Sequence, residues 1–375
     1  MATISQLPDA VEKGIDHLLD FGTSADADRQ LAIDGIEPVL EFIHQAEPMA
    51  KLTPAERNGV RGAFLAYHVQ RPLTDIVRYV YNRRIPEGAV NPSSVNYSIW
   101  KSVNGNGSGL PDLWQTVKDL SNPVVAEGVV REIISPDLHT GAYYEYDLRR
   151  TFFIYRQGSK RVFISLSKQI GDSEVGRKGY IVGCDTEWNY LYTQEKGLDM
   201  AGLGWVKSKI YDYLSACIYL EDDQQPGHVR VGVFQWLKAG WVGINMVDSH
   251  HIHDGMVRYA EQLKQMMETD QMPEPSILEN VFNALEGTDP ALLRVQMETV
   301  TQHVLTRART DKKLSKKSAI RDLDEKAYVA RMPKAQLVTA MMREYVKYCL
   351  GKETPLQAFW LTFKQGVTVD QRPLS

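Results

Sequence analysis

The sequence predicts an α+β protein in which a central antiparallel sheet closes on one long helix, with helical regions on both sides. Three observations support this prediction. Residues 143–237 contain short runs rich in aromatic and β-branched residues, separated by turns, which is typical of strands. From residue 249 the apolar residues recur with the period of a helix. The same helical spacing is found before residue 104 and after residue 275.

Bulk composition limits the class of protein. The 375 residues are 43% hydrophobic and 24% charged, as in ordinary globular proteins of two or three domains. A net charge of -4 gives no electrostatic reason to expect nucleic acid as a partner. No window has the apolar length of a membrane span. Acidic residues at 9, 12 and 16 interrupt any leader, so we expect a cytoplasmic protein, or a periplasmic or secreted one whose leader has been removed.

Residues 1–103 are predicted to be an all-helical region. Thr53-Pro-Ala-Glu56 has the form of a capping box with proline in the first turn, and it predicts a helix that continues through Phe64 and His68. The glycine-rich segment at 104–109 then predicts a joint between domains.

The second predicted domain spans residues 110–270. A short helix at 113–120 precedes the strands, and Gln157-Gly-Ser-Lys160 predicts a tight turn between two of them. Short turns predict that strands consecutive in the sequence are antiparallel neighbours. Met256, Tyr259 and Leu263 form one stripe of the helix that closes this domain.

The third predicted region, residues 276–375, is helical. Asp289-Pro290 opens one long helix, and Pro333 opens another that Gly351 ends.

The order of these elements resembles a helix-grip fold, and residues 113–268 resemble the START-like superfamily of hydrophobic-ligand-binding domains. The resemblance depends on the helix from Leu113-Trp114, on a late strand at 207–219, and on the junction and helix at 231–267. It departs from the family in lacking the usual proline between the last strand and the helix. The resemblance implies a cavity between sheet and helix that binds a hydrophobic small molecule or lipid.

Aromatic residues are the candidate lining of that cavity. Alternating residues share one face of a strand, and aromatic rings with polar tips suit an apolar ligand. The same rings would equally serve to fill a core between sheet and helix. Arg150 is the candidate for orienting a polar group of the ligand, within a basic hairpin that would receive an anionic head group or serve as a solvated edge. The candidate set is Tyr144, Tyr146, Arg150, Trp188, Tyr190, Tyr192, Trp205, Tyr211, Tyr213 and Trp236.

Histidines cluster only at His250-His-Ile-His253, at the start of the closing helix. Spacing of this kind permits a metal site, but it lacks a second group of ligands, and we interpret it as a polar helix start. No nucleophile motif, phosphate-binding loop or dinucleotide motif is present. We therefore predict no cofactor, no metal and no catalytic residue.

The sequence favours non-enzymatic binding of a hydrophobic small molecule or lipid. One alternative is an enzyme acting on an apolar substrate in the same cavity, with His251, His253 or a cavity carboxylate in acid–base roles. Another is a scaffold whose helical arms bind proteins. The sequence names no protein partner.

Overall fold

The computed structural model describes residues 5–24, 30–103, 110–200, 204–222 and 225–369, and every structural statement below concerns these residues. The joint predicted at 104–109 lies outside them. The α-helices are α1 (Asp9–Thr23), α2 (Ile33–Gln45), α3 (Leu73–Val80), α4 (Glu87–Val90), α5 (Leu113–Lys118), α6 (Ser249–Glu268), α7 (Pro275–Gly287), α8 (Pro290–Thr310), α9 (Ser318–Arg321), α10 (Glu325–Ala330), α11 (Lys334–Cys349) and α12 (Gln357–Val369).

The strands are β1 (Lys51–Leu52), β2 (Gly62–Val69), β3 (Val95–Val103), β4 (Val124–Ile134), β5 (Ala142–Tyr143), β6 (Glu145–Gln157), β7 (Lys160–Ile170), β8 (Arg177–Ile181), β9 (Tyr190–Lys196), β10 (Leu198–Met200), β11 (Gly204–Val206), β12 (Lys209–Glu221), β13 (Val229–Trp241) and β14 (Ile244–Asn245).

One antiparallel sheet organises the molecule. Its strand order is β1-β2-β13-β12-β7-β6-β4-β3, and β14 pairs with β13. Two smaller sheets, β5-β8-β9 and β10-β11, are separate from the large one. The large sheet therefore forms one wall of any site between sheet and helix.

Helices cover both faces of the large sheet. On one face α1 and α2 bury Ile15 and Ile36 against Phe64, Ile164 and Phe234 of the strands. On the other face the apolar stripe of α6 joins a second buried cluster, which continues into the C-terminal helices. The predicted α+β class, with an antiparallel sheet that grips a long helix, is confirmed.

The helix α6 was expected from its apolar period, and it begins where the sequence indicated. Ile252, Met256, Leu263 and Met267 are buried along one side of it. Asp248 and His251 form a reciprocal capping box at its start. The C-terminal helices also follow the prediction, because Asp289 caps α8 through the N–H of Ala291, and Gly351, with a φ of 66°, lies just beyond the end of α11.

The prediction that residues 1–103 are all helical is wrong. The expected helix through Phe64 and His68 is the strand β2, which pairs with β13, and β3 also joins the large sheet. Both faces of β2 are covered by helices, so nearly all of its residues are buried and the alternation expected of a strand disappears. Asn58 and Gly59, both with positive φ, make the turn that precedes it.

The predicted hairpin is confirmed, because β6 and β7 pair from Gln157–Lys160 outwards with Gly158 at a φ of 62°. Sequential antiparallel pairing also holds for β8 with β9 and for β12 with β13, but it fails where β2 lies beside β13 and where β7 lies beside β12. Among the described helices, none has both the length and the apolar character of a membrane span.

Candidate functional site

A cavity of about 310 Å³ lies between the large sheet and α6. Strands β4, β6, β7, β12 and β13 contribute side chains from one face, and α6 contributes Ile252, Met256 and Tyr259. The loop that follows α3 and the segment after α4 complete the wall. This is the position that a helix gripped by a sheet predicts for a ligand site.

The cavity is left open because small polar side chains occupy the face of β7 and β12 that lines it. Ser165 and Ser167 alternate on β7, and Ser215 and Cys217 alternate on β12, so all four point to the same face. The residues between them, Leu166 and Ala216, pack against α1 and α2 on the other face. Larger side chains on the cavity face of these two strands would fill the space.

Two carboxylates share one guanidinium in the cavity. Arg150 Nη2 donates to Glu132 Oε1 at 2.6 Å, and Arg150 Nη1 lies 3.5 Å from Glu87 Oε2. Arg150 Nε donates to Ser167 Oγ at 3.3 Å. The Glu132 residue is only 4% exposed, so this charged cluster belongs to the interior of the protein.

Burial controls the protonation of this cluster. Loss of hydration raises the pKa of Glu132 to about 7; Arg150 opposes this rise and Glu87 adds to it. Burial also disfavours the charge on Arg150, but Glu132 and Glu87 outweigh that cost and raise the pKa of the guanidinium. Glu132 can therefore change its protonation near neutral pH while Arg150 stays charged.

Tyrosines surround the charged cluster. Tyr67, Tyr81, Tyr146, Tyr213 and Tyr259 all contribute to the cavity wall. Burial raises the pKa of Tyr213 to about 12, so its hydroxyl is neutral at physiological pH. Within the part of the chain that the structure describes, the buried hydroxyl of Tyr67 has no hydrogen-bond partner. A buried polar atom in that state is suited to a ligand or a water molecule.

A second cavity of about 250 Å³ lies on the other side of the same cluster. Tyr81, Glu87 and Arg150 line both cavities. Trp100 of β3 and Phe282 of α7 belong only to the second one. The contact between Arg150 and Glu87 thus forms part of the partition between them.

Three of the ten candidate residues line the main cavity: Tyr146, Arg150 and Tyr213. The rings of Tyr146 and Tyr213 lie 6.3 Å apart on neighbouring parts of the wall. Tyr144 and Tyr211, which the sequence placed on the same strand faces as these two rings, do not line the cavity.

Trp188, Tyr190 and Tyr192 lie outside the main cavity. Trp188 ends a short 3-10 turn at a φ of 60° and therefore does not belong to the strand. The hydroxyl of Tyr190 donates to Asp185, and that of Tyr192 lies 3.2 Å from Ser135 Oγ. These three rings line a void of only about 30 Å³ beside the C-terminal helices, so they fill a core.

The other candidates are also elsewhere. Tyr144 lies before the start of β6, and its hydroxyl contacts Ser208 Oγ. A bulge between Ile210 and Asp212 interrupts the alternation of β12, and the hydroxyl of Tyr211 instead accepts the N–H of Gly243. The side chain of Trp205 lies outside the described part of the chain.

Trp236 faces away from the cavity. Its Nε1 donates to the carbonyl of Ala55 at 2.9 Å, and Arg57 stacks 4.3 Å above the ring. Its strand neighbours Gln235 and Leu237 line the cavity instead. Residues 235 and 236 lie on opposite faces of β13. The prediction placed Trp236 in the cavity wall, but Gln235 is the residue that lines it.

The basic hairpin does not form one anion-binding patch. Arg150 turns inwards, whereas Arg149 Nη1 reaches the carbonyl of Thr23 on the other face. Arg156 donates to the carbonyl of Leu120, and Arg161 pairs with Glu221. Alternation along β6 divides these charges between separate partners.

One residue of the histidine cluster reaches the cavity. His251 lines it, and His251 Nδ1 accepts the N–H of Asp248. Burial, followed by the neighbouring His250 and His139, lowers the pKa of His251. Ligand atoms of Asp248, His250 and His251 lie within 4.8 Å of one another, which is a donor set suited to a metal ion. His253 turns away and contacts the carbonyls of Leu52 and Phe64.

No family model matches this chain, and no curated protein matches it. Among solved structures, the human StarD13 (DLC2) lipid transfer and protein localization domain is similar over 64% of this chain and 96% of that domain, with 10% identity and a TM-score of 0.30. A likeness this distant carries no information about function.

Sequence reasoning missed Glu132, Glu87, Tyr67, Tyr81 and Tyr259. One signal was available: serines alternate with large apolar residues at 163–167, which indicates a strand face that is buried yet not filled. Glu132 gave no comparable signal, because its role depends on a guanidinium 18 residues away in the chain.

Proposed function

We propose that the protein binds a small, largely apolar molecule in the cavity beneath α6 without transforming it chemically. The observation that carries this proposal is an interior space of about 310 Å³ whose wall combines apolar side chains with a convergent polar cluster. Ligand sites are typically concave, mostly apolar and equipped with a few placed polar groups. The volume is at the lower end of the roughly 300–1,000 Å³ usual for such sites, which favours a small ligand over a two-chain lipid.

The polar groups would orient the ligand. The unpartnered hydroxyl of Tyr67 and the carboxyl of Glu132 face the same space. A ligand that formed a hydrogen bond with the Tyr67 hydroxyl would remove the cost of leaving that buried polar atom unpaired, about 1–3 kcal/mol. Apolar surface against Met256 and Val233 would supply the remaining free energy of binding.

Native mass spectrometry of the purified full chain, followed by solvent extraction, tests this proposal. Ser215→Leu should fill the cavity and abolish copurification of any small molecule, whereas Ser215→Ala keeps the space and should retain it. Thermal unfolding of both variants and of the wild type serves as the control that the three proteins are equally well folded. Empty wild-type protein, together with unchanged tryptophan fluorescence across a panel of small apolar ligands, would contradict the proposal.

A second candidate function is acid–base catalysis in the same cavity. The observation that favours it is the buried Glu132 carboxyl, whose pKa burial raises to about 7, where a group both takes up and releases protons. Incubating extracted ligand with wild type and with Glu132→Gln would separate the two functions. Conversion by the wild type alone indicates an enzyme, and equal recovery of unchanged ligand from both indicates binding only.

A further inference from the structure

Each of the three guanidinium nitrogens of Arg150 already contacts a protein oxygen, on Glu132, Glu87 or Ser167. An anionic ligand group would have to share this guanidinium with the two carboxylates that neutralise it, or displace one of them. The displaced carboxylate would then be left in the interior without its cation, which is strongly unfavourable.

The remaining charges of the cavity wall leave a surplus of carboxylate. Arg258 is held by the carboxylate of Asp185 and by the carbonyl of Pro136. Asp137 accepts backbone N–H groups of its own loop, at residues 139, 140 and 142. Two carboxylates, Glu87 and Glu132, therefore face one guanidinium in the cavity wall.

Five tyrosine rings complete the same wall: those of Tyr67, Tyr81, Tyr146, Tyr213 and Tyr259. The face of an aromatic ring is the negative side of its quadrupole and attracts cations. Tyrosine and serine hydroxyls also accept hydrogen bonds, and an ammonium group offers three donors and no acceptor. The wall thus offers a ligand hydroxyl acceptors, two carboxylates and aromatic rings.

We propose that the cavity selects a small organic cation, a protonated amine attached to an apolar body, with Glu132 as its counter-ion and tyrosine rings around it. This inference rests on the proposed function, since it names the chemical class of the ligand for that site. It replaces the expectation that Arg150 receives an anionic head group.

The test uses three probes with one scaffold: 2-phenylethylamine, 2-phenylethanol and 3-phenylpropanoate. Their dissociation constants for the full wild-type chain are measured by ligand-observed NMR or calorimetry at pH 8, where the amine is charged. We expect the amine to bind about tenfold more tightly than the alcohol, and the carboxylate to bind most weakly. Amine binding should disappear in Ser215→Leu, which places it in the cavity.

Charge-changing variants at two positions of β4 provide the matched comparison. Glu132→Gln should remove the preference for the amine over the alcohol. Glu127→Gln carries the same charge change on the opposite face of the strand and should leave the preference intact. If Glu132→Gln does not fold, the ranking of the three probes by the wild type still decides the question.

Each other outcome overturns the inference in a recognisable way. Equal binding of amine and alcohol, or tightest binding of the carboxylate, contradicts the selection of a cation while leaving the proposed function standing. Amine binding that persists in Ser215→Leu assigns it to another surface. Absence of binding for all three probes counts against the proposed function and removes this inference with it.

Discussion

Glu132 Oε1 lies 2.6 Å from Nη2 of Arg150, and yet burial raises the pKa of this carboxyl to about 7. An isolated ion pair would lower the pKa of the carboxyl. Here the guanidinium is shared with Glu87, and the whole group lies inside the protein. The cost of removing the Glu132 carboxylate from water therefore exceeds the attraction of its partner.

This relationship predicts a pH-dependent stability. The pKa of Glu132 is higher in the folded chain than in the unfolded one, so the folded state binds the proton more tightly. The contribution of this group to the free energy of unfolding therefore decreases as pH rises from about 4.5 to about 7. Removal of that carboxyl in Glu132→Gln should make the variant more stable relative to wild type at pH 8 than at pH 5, by roughly 2–3 kcal/mol. Urea unfolding at the two pH values measures the difference.

Other groups facing Glu132 are retained in that comparison. Arg150, Glu87, Tyr146 and Tyr213 surround it, with His251 and Arg258 on the helix side of the cavity. These groups are present in both proteins, so their contributions to the pH dependence cancel to first order. A difference between wild type and variant that does not change with pH would contradict the raised pKa.

Trp236 is predicted to matter for stability and not for ligand binding. Trp236→Phe removes the indole N–H that donates to Ala55, at a cost of about 1–2 kcal/mol in the free energy of unfolding. Ligand affinity should be unchanged, because the ring packs on the face opposite the cavity. Trp241→Phe is the control, since Trp241 is exposed at the end of the same strand and should change stability by less than about 0.5 kcal/mol. Weaker ligand binding by Trp236→Phe would place the ring in the site after all.

A buried ion pair on α11 is predicted to be sensitive to the loss of one partner. Lys347 is 1% exposed, and its Nζ contacts Glu344 Oε1 at 3.2 Å and Asn189 Oδ1 at 2.9 Å. Lys347→Met should lower the free energy of unfolding by about 3–5 kcal/mol, because the Glu344 carboxylate stays buried without its cation.

Two further variants make that measurement specific. Adding Glu344→Gln to Lys347→Met should recover part of the lost stability, since no unpaired charge remains. Lys264→Met removes a lysine from the partly exposed pair with Glu268 and should cost less than about 1 kcal/mol. If denaturant unfolding gave equal decreases in the free energy of unfolding for Lys347→Met and Lys264→Met, burial of the Lys347–Glu344 pair would not increase the cost of losing its lysine.

Cys217 is predicted to be a slow thiol. It faces the cavity, and burial raises its pKa to about 12, so very little thiolate exists at pH 8. Cys184 is exposed and should react first with Ellman's reagent. Timed thiol titration of the double variant Cys184→Ser, Cys349→Ser isolates the reaction of Cys217, and a ligand in the cavity should slow it further. Modification of Cys217 as fast as Cys184 would show that the cavity is open to the reagent.

Local sequence determined the elements whose residues carry their own signals. The apolar stripe from Met256 to Leu263 predicted α6, the glycine turn at 157–160 predicted the central hairpin, and prolines and Gly351 marked the C-terminal helices. In each case the conformation depends on neighbours within a few residues, as helix period, capping and turn geometry do. The α+β class followed from these elements together.

Tertiary structure decided the rest. Helices cover both faces of β2, so its residues do not alternate between buried and exposed. A bulge after Ile210 changes the face on which Tyr211 lies. The packing of helices on the sheet places Gln235, and not Trp236, in the cavity wall. The Glu132–Arg150–Glu87 cluster joins β4, β6 and α4, and its protonation depends on how completely those elements exclude water. Sequence periodicity shows that two residues face opposite ways, but only the packing of distant segments decides which face is filled and which encloses a space.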